Sequence, residues 1–464
     1  MSAGAGTDIG AGEVDDTNVA DGDTIAAVAT APGQAGIGVV RVSGPAAGAI
    51  AQTLTGHAPA PRTIRLRRFL DSSGETIDSG LVLYFQGPAS FTGEDVVEFQ
   101  GHGGHMVLQM VLDAAMAAGA RMARPGEFTE RAYLNGKLDL AQAEAVADLI
   151  ASGSEAAVRG ANRSLSGAFS SRVTEIDALV LELRVFVEAA IDFPDEDIDL
   201  LADGQVAERI DGIIDALTHL EADCAQGVLL RDGIKLAIVG APNVGKSSLL
   251  NQLSGESRAI VTDIPGTTRD LVAAEIDIDG LRLEIVDTAG LRETDDTVEA
   301  EGVRRALAEA AEADVVLYLQ TWGEDQTDRS VNPYSLPLER VLGVWNKVDL
   351  AKDLEAVAAA RDAGQILVSA TTGEAFTELR AAIRDRVGYS PSSNLFTARK
   401  RHLIALATAL EAVRTARLQA ADTLPGELIA EELKAAHAAL GEIVGELTSD
   451  ALLGEIFSTF CIGK

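Results

Sequence analysis

The chain has 464 residues, with 38 Lys plus Arg against 71 Asp plus Glu and a formal net charge of −33. Such a balance excludes a nucleic-acid binder that works by blanket phosphate neutralisation; contacts with nucleic acid must be local or shared, and the bland meaning of the acidity is solubility. Two cysteines, Cys224 and Cys461, are too few and too far apart for a disulfide framework or a zinc site and suit a reducing cytosol. No apolar run reaches the span of a bilayer, and the N-terminus lacks the basic start and apolar stretch of an export signal, so the expectation is a soluble, cytoplasmic protein with no membrane partner.

Length suggests roughly three domains. Residues 1–21 are Gly/Ala/Asp-rich without periodicity and read as a flexible tail. From Asp23 the pattern is β-like, with TIAAVAT, GIGVVRVSG, LVLYF and DVVEFQ separated by Gly, Pro and Ser turns, predicting an α+β domain over 22–136. The stretches AQAEAVADLIASGSEAAVRGAN and VTEIDALVLELRVFVEAAIDF place apolar residues three and four apart, so 137–232 reads as the first part of a helical domain, broken or bent at Pro194. Residues 233–387 alternate strand and helix in the rhythm of a doubly wound sheet, with a hairpin in AEIDIDGLRLEIVDT turning at Asp279 and Gly280. Helical periodicity returns over 388–464. The predicted fold class is therefore multidomain α/β and α, with a doubly wound P-loop domain inserted into a helical domain, so that the ends of the insert lie close together.

GAPNVGKSS, Gly240 to Ser248, follows the apolar strand IKLAIVG and precedes the helix-like SLLNQLSG. Such a loop curls backbone N–H groups around phosphates at a helix N-terminus, where the dipole favours anions. Asn243, Val244, Gly245, Lys246, Ser247 and Ser248 are the phosphate candidates, with Lys246 reaching the β and γ phosphates as a catalytic cation and Ser247 holding Mg²⁺. Asp287, Thr288, Ala289 and Gly290 form the DTAG turn, where Asp287 can bind Mg²⁺ through water and Gly290 can offer its N–H to the γ phosphate. The segment Thr262, Asp263, Ile264, Pro265, Gly266, Thr267 and Thr268 supplies Thr268 as the second Mg²⁺ hydroxyl. Asn346, Lys347, Val348 and Asp349 make NKVD, whose terminal carboxylate accepts two hydrogen bonds from guanine that adenine does not offer. Ser369, Ala370 and Thr371 complete the base pocket with backbone N–H groups.

Leu291 stands where many nucleotide switches carry a water-orienting glutamine, so the water and the developing charge must be handled by other groups. Asn243 reads equally as a loop-turn residue and as a ligand for a monovalent cation beside the phosphates, with backbone oxygens of RAIVTDIPGTT completing an oxygen cage. Glu293, Asp295, Asp296, Glu299 and Glu301 are the acidic candidates for positioning water.

With the phosphate loop, GTTRD, DTAGLRE, NKVD and the terminal FCIGK, the chain closely resembles the tRNA-modification GTPase family MnmE, also called TrmE, from Asp23 to Lys464. DTIAAVATAPGQAGIGVVRVSG, FTGEDVVEFQGHGG, RPGEFTERAYLNGKLDLAQAEA and LTSDALLGEIFSTFCIGK carry the resemblance outside the GTPase motifs. It implies a potassium-stimulated, homodimeric GTPase that works with the flavoprotein MnmG, in a heterotetramer or larger complex, to install a carboxymethylaminomethyl-type group on carbon 5 of the wobble uridine of certain tRNAs. It implies that Asn243, Thr262, Ile264 and Thr267 form a potassium cage, that Glu299 positions water, and that Leu291 is the family's own residue. It further implies a folate-binding-like N-terminal domain that contacts 5-formyltetrahydrofolate, or a related tetrahydrofolate, through Arg41, Glu98, Lys137 and Lys464. Residue by residue, a surface salt bridge explains Arg41 and Glu98 nearly as well, and His102 and His105 lack a nearby third ligand and read as turn and packing residues. Cys461 reads either as a reactive thiolate with a part in the modification or as a small apolar residue. The acidic extension and LYLQTW depart from the pattern, and the basic surface for tRNA is expected largely from the flavoprotein. A ribosome-assembly GTPase or a signalling switch shares the nucleotide motifs and is the alternative.

Overall fold

The structure is a computed structural model that describes residues 22–192, 205–241, 243–255, 272–286, 310–323, 337–391, 395–421, 425–446 and 449–463. It divides into two compact units, one of residues 1–139 with 449–464 and one of residues 140–448. Residues 449–464, the end of the stretch 388–464, cluster with the unit that holds the N-terminal strands. Among the described residues no helix is long and apolar enough to cross a membrane.

In the first unit, β1 (Ile25–Val28), β2 (Ala35–Ser43), β3 (Ile64–Leu70), β4 (Thr76–Phe85), β5 (Val96–Gly103) and β6 (Arg121–Met122) form one sheet in the order β3-β4-β5-β2-β1-β6. Strands β2 to β5 pair antiparallel with their sheet neighbours, and β6 lies parallel to β1. Alternation puts Phe69, Val82, Phe99, Val40 and Val42 on one face, where α1 (Ala47–Thr55) and α2 (His105–Ala117) cover them with Ile50, Leu54, Leu108 and Val111. The sequence reading did not find β3.

The RPGEF turn leads into α3 (Glu127–Leu134), and Pro125 bridges to Ile462 of the chain end. Gly126 has φ 68°, and a Cβ there would stand 2.7 Å from Phe457 O, so the close approach of the C-terminal helix Asp450–Ser458 and its following segment demands glycine. Arg131 of α3 is nearly buried and is ringed by Asp23, Glu94 and Glu127, at 2.5, 3.0 and 3.1 Å. Arg121 closes the other side of Glu127 at 2.5 Å.

In the second unit, α4 (Leu140–Ala151), α5 (Glu155–Leu165), α6 (Ala168–Asp192) and α7 (Gln205–Asp232) precede a sheet, while α11 (Lys400–Ala421) and α12 (Gly426–Val444) follow it. Val173, Val180, Leu183, Ile210, Leu217, Leu406, Val413, Leu433 and Leu440 recur at helical spacing and pack into one apolar core. Beside that core, Glu144 is 1 % exposed and faces Arg401 at 2.8 Å and His402 at 2.9 Å, while Arg399 and Arg231 meet Asp148 at 2.9 and 2.8 Å. Arg399 N–H donates to His402 Nδ1, so Nε2 carries the proton given to Glu144. Burial lowers the His402 pKa and keeps the ring neutral; burial opposes the Glu144 charge, but the surrounding groups outweigh it and hold that carboxyl far below its ordinary range.

The sheet between them contains β7 (Ile234–Gly240), β8 (Val272–Ile278), β9 (Leu281–Val286), β10 (Val315–Thr321), β11 (Val341–Asn346) and β12 (Ile366–Leu367), ordered β12-β11-β10-β7-β9-β8. All neighbours are parallel except the β8–β9 hairpin at the edge. Its helices include α8 (Lys246–Gly255), α9 (Leu354–Asp362) and α10 (Phe376–Arg386). The entry and exit of this insert meet: Gln226 of α7 accepts from Ser390 N at 2.8 Å and donates to Gly388 O at 2.7 Å.

The β8–β9 turn uses Asp279 and Gly280 at φ 52° and 94°, and it seats on α5. Ser154, the N-cap of α5, accepts from Ala157 N and donates to Gly280 O, both at 3.0 Å. A Cβ on Gly280 would stand 2.6 Å from the Ala156 Cβ, and Asp279 pairs with Arg384 of α10 at 2.7 Å.

Candidate functional site

The apolar run IKLAIVG folds as β7 because it is buried between neighbours on both sides of a parallel sheet. At its end a Cβ on Gly240 would lie 2.3 Å from Leu319 O of β10, so only glycine lets the chain leave the sheet there. Asn243 is exposed at φ 61°, in the left-handed region that asparagine tolerates, which accounts for its place in the loop as a turn residue. Gly245 follows at φ 104°, where a Cβ would stand 2.3 Å from Asn346 Nδ2. The helix α8 then starts at Lys246, with Ser247 and Ser248 exposed on its first turn and Leu249 N bonded to Gly245 O at 2.9 Å.

The loop is tied to the NKVD segment by side chains. Asn346, 2 % exposed, donates to Val244 O at 2.8 Å and accepts from Ala370 N at 3.0 Å. Lys347, at φ 64°, donates to Asn243 O at 2.8 Å. One asparagine thereby fixes the phosphate loop, NKVD and the SAT segment relative to each other. Lys246 Nζ lies against Gly240 O and Ala241 O at 2.8 and 3.1 Å, a cation parked on carbonyls at the mouth of the loop. Val348 is buried and Asp349 exposed on a 3₁₀ turn, Val348–Leu350, so the carboxylate is presented to solvent while its neighbour anchors the turn. Ser369 is buried, Ala370 buried and Thr371 exposed beside it.

Sequence reading missed the support under this segment. Trp322 and Trp345 meet edge to face at 6.0 Å and pack against Val348, Val357, Ala360 and Leu367. Trp322 ends the LYLQTW stretch and packs beneath the NKVD turn, while Leu317 and Leu319 of the same stretch lie in the main core of the sheet. Alternation along β10 and β11 was the available signal. Thr262, Asp263, Ile264, Pro265, Gly266, Thr267, Thr268, Asp287, Thr288, Ala289, Gly290 and Leu291 lie outside the described residues, as do Glu293, Asp295, Asp296, Glu299, Glu301 and Lys464.

In the other unit, Arg41 of β2 and Glu98 of β5 are register partners and pair at 2.9 Å. The Arg41 guanidinium also lies between two rings, 5.9 Å from the centroid of Phe91 and 5.7 Å from that of Phe128. Neither ring was singled out from the sequence, although FTGED and RPGEF contain them. Lys137 Nζ donates to Pro88 O at 3.0 Å, and Cys461 is exposed, its carbonyl accepting from Gly126 N. His102 lies on strand β5, not in a turn, and its exposed ring pairs with Asp78 of β4 at 2.8 Å.

Comparison with known proteins adds the family. The profile described as MnmE helical domain matches residues 140–461, and that described as GTP-binding protein TrmE N-terminus matches 24–137. Proteins named tRNA modification GTPase MnmE include one from Alkalilimnicola ehrlichii, 52% identical over 95% of this chain and 99% of its own length. Those from Methylococcus capsulatus and Legionella pneumophila are 50% and 48% identical, covering 96% and 95% of this chain and 99% of each relative. Near-complete coverage at this identity, together with a phosphate loop and an NKVD segment laced at one site, means that the chain belongs to the MnmE (TrmE) family of tRNA modification GTPases.

Proposed function

We propose that this chain is a potassium-stimulated GTPase that, with the flavoprotein MnmG, modifies carbon 5 of the wobble uridine of certain tRNAs with a carboxymethylaminomethyl-type group. The observation that carries the nucleotide part is the Asn346 bridge between Val244 O and Ala370 N, which sets phosphate loop and base loop at a fixed separation. In this reading the residues Asn243 to Ser248 cradle the phosphates, Lys246 leaves its two carbonyls to reach the β and γ oxygens, and Asp349 selects guanine. The exposed Ser247 hydroxyl on the first turn of α8 fits a Mg²⁺ ligand, joined by Thr268; the ion would supply neutralisation of the β and γ oxygens.

Asn243, with Thr262, Ile264 and Thr267, would hold K⁺ where an arginine finger acts in other enzymes, and Glu299 would orient the water. The exposed position of Asn243 on the loop supports its availability as a ligand. Arg41, Glu98, Lys137 and Lys464 would bind 5-formyltetrahydrofolate or a relative; the ring-flanked Arg41 fits a flat, anionic ligand. We take the working form to be a cytoplasmic homodimer, with 22–136 as the folate and dimerisation domain and 233–387 as the G domain between helical parts 137–232 and 388–464. Hydrolysis measured in KCl and NaCl at equal ionic strength tests the cation: a large excess in KCl, lost in Asn243→Ala, is expected, and equal rates discard it. Glu299→Ala is expected to abolish turnover and spare nucleotide binding. Mass spectrometry of wobble nucleosides from cells lacking the protein tests the tRNA part, which an unchanged profile removes.

A further inference from the structure

Strand β3 has the sequence IRLRRFL, preceded by Arg62, and so places four arginines between residues 62 and 68 of a chain whose net charge is −33. Among the described residues it is the edge strand of its sheet and pairs only with β4. Among the described residues, Arg62, Arg65, Arg67 and Arg68 have no carboxylate partner, whereas Arg41, Arg121, Arg124 and Arg131 of the same unit each hold at least one. The nearest acid in sequence, Asp71, is occupied by its own turn, accepting from Ser73 N, Ser73 Oγ and Glu75 N.

Register fixes where the charges point. Arg65 opposes Val82, which opposes Phe99, so Arg65 and Arg67 share the helix-covered side, where Arg65 is exposed and Arg67 is half-buried, its Nη1 donating to Leu66 O at 3.1 Å. Arg68 projects with Ile64 and Leu66 on the other side, where Ile64 and Leu66 are 61% and 68% exposed. The guanidinium groups therefore straddle a free strand edge, and Arg62 holds the loop beside it through Ala89 O at 2.9 Å. We propose that this edge is a contact for the phosphate backbone of an RNA, the tRNA of the reading above, on which the inference rests. Guanidinium forks match phosphate oxygens, and an unpaired run of them in an acidic chain complements a polyanion. A second copy fits poorly, since two-fold pairing of the edges would set arginine against arginine.

The test reconstitutes the full chain with its flavoprotein and titrates fluorescein-labelled, unmodified tRNA by anisotropy from low to high KCl. R65Q/R67Q/R68Q is expected to weaken binding at least about tenfold at low salt and to reduce the slope of log affinity against log salt by about 2 to 3. The matching Arg→Lys triple is expected to keep most of both, and circular dichroism of each variant should match the wild type. Wild-type affinity and slope in the glutamine variant, with tRNA bound, overturn the RNA contact alone; no tRNA binding by the wild-type complex overturns the reading beneath it. Loss of the dimer in sedimentation, at unchanged tRNA affinity, assigns the edge to a second copy, and aggregation at unchanged affinity assigns the arginines to guarding the edge; either overturns the proposal.

Discussion

The two units each bury an ion network, built with opposite polarity. In the N-terminal unit a cation, Arg131, sits among the carboxylates Asp23, Glu94 and Glu127; in the helical core an anion, Glu144, sits among Arg401, Arg399 and His402. Arginine does not titrate in the accessible range, so the first network changes charge only when carboxylates take protons. The second contains an imidazole and meets acid earlier. Charge identity at the centre thus sets the pH at which each unit begins to weaken.

The largest effect expected is that of Glu144→Ala, which leaves two arginines facing a void and should cost about 3–5 kcal/mol in urea unfolding. A loss below about 1 kcal/mol would mean that the helical network contributes no more than a surface pair. Arg131→Ala should cost somewhat less, about 2–3 kcal/mol, because Asp23 and Glu94 remain about a quarter exposed and recover hydration. An equal or greater loss would erase the contrast.

Acid should separate the units next. The folded pKa of His402 lies below its ordinary 6.5, so the unfolded chain binds more protons as pH falls through that value, and stability present at neutral pH declines below it. For Glu127, burial pushes the pKa up but the Arg121 hydrogen bonds and their partners outweigh it, giving about 2 from an ordinary 4.5. That stability is present above 4.5 and is lost as pH falls toward 2. Hydrogen-exchange protection factors, corrected for the intrinsic rate at each pH, should therefore fall in α4 and α11 as pH drops below about 6.5 while those of α3 hold, and His402→Asn should flatten the helical response. Simultaneous loss in both regions refutes the assignment. The smallest effect belongs to Arg41→Gln: its half-open pair with Glu98 should contribute less than about 1 kcal/mol, while calorimetry should register weaker binding of 5-formyltetrahydrofolate.

The phosphate loop and NKVD were legible because each is contiguous and sits where a strand ends, a local pattern with a chemical reason. The networks were not. Glu144 and His402 are 258 residues apart, and only the tertiary fold brings the start of α11 to α4 and makes them partners. Glu127 and Arg131 stood in view within RPGEFTER, four apart on one helix face, yet Asp23, 108 residues from Arg131, completes their purpose. Strand β3 escaped because three arginines in seven residues obscure its alternation; an edge strand needs only one apolar anchor, here Phe69. The chain end looked helical and is so, but Gly126 and Pro125 draw it to the N-terminal sheet.

The seating of the β8–β9 turn on α5 has a mechanical consequence. In sequence, β8 follows the GTTRD stretch and β9 precedes DTAG, and the ribbon they form is clamped at its far end by Ser154 and Ala156. The hairpin thereby ties the strands that flank both stretches to the first turn of α5 through a serine hydroxyl and a close glycine contact.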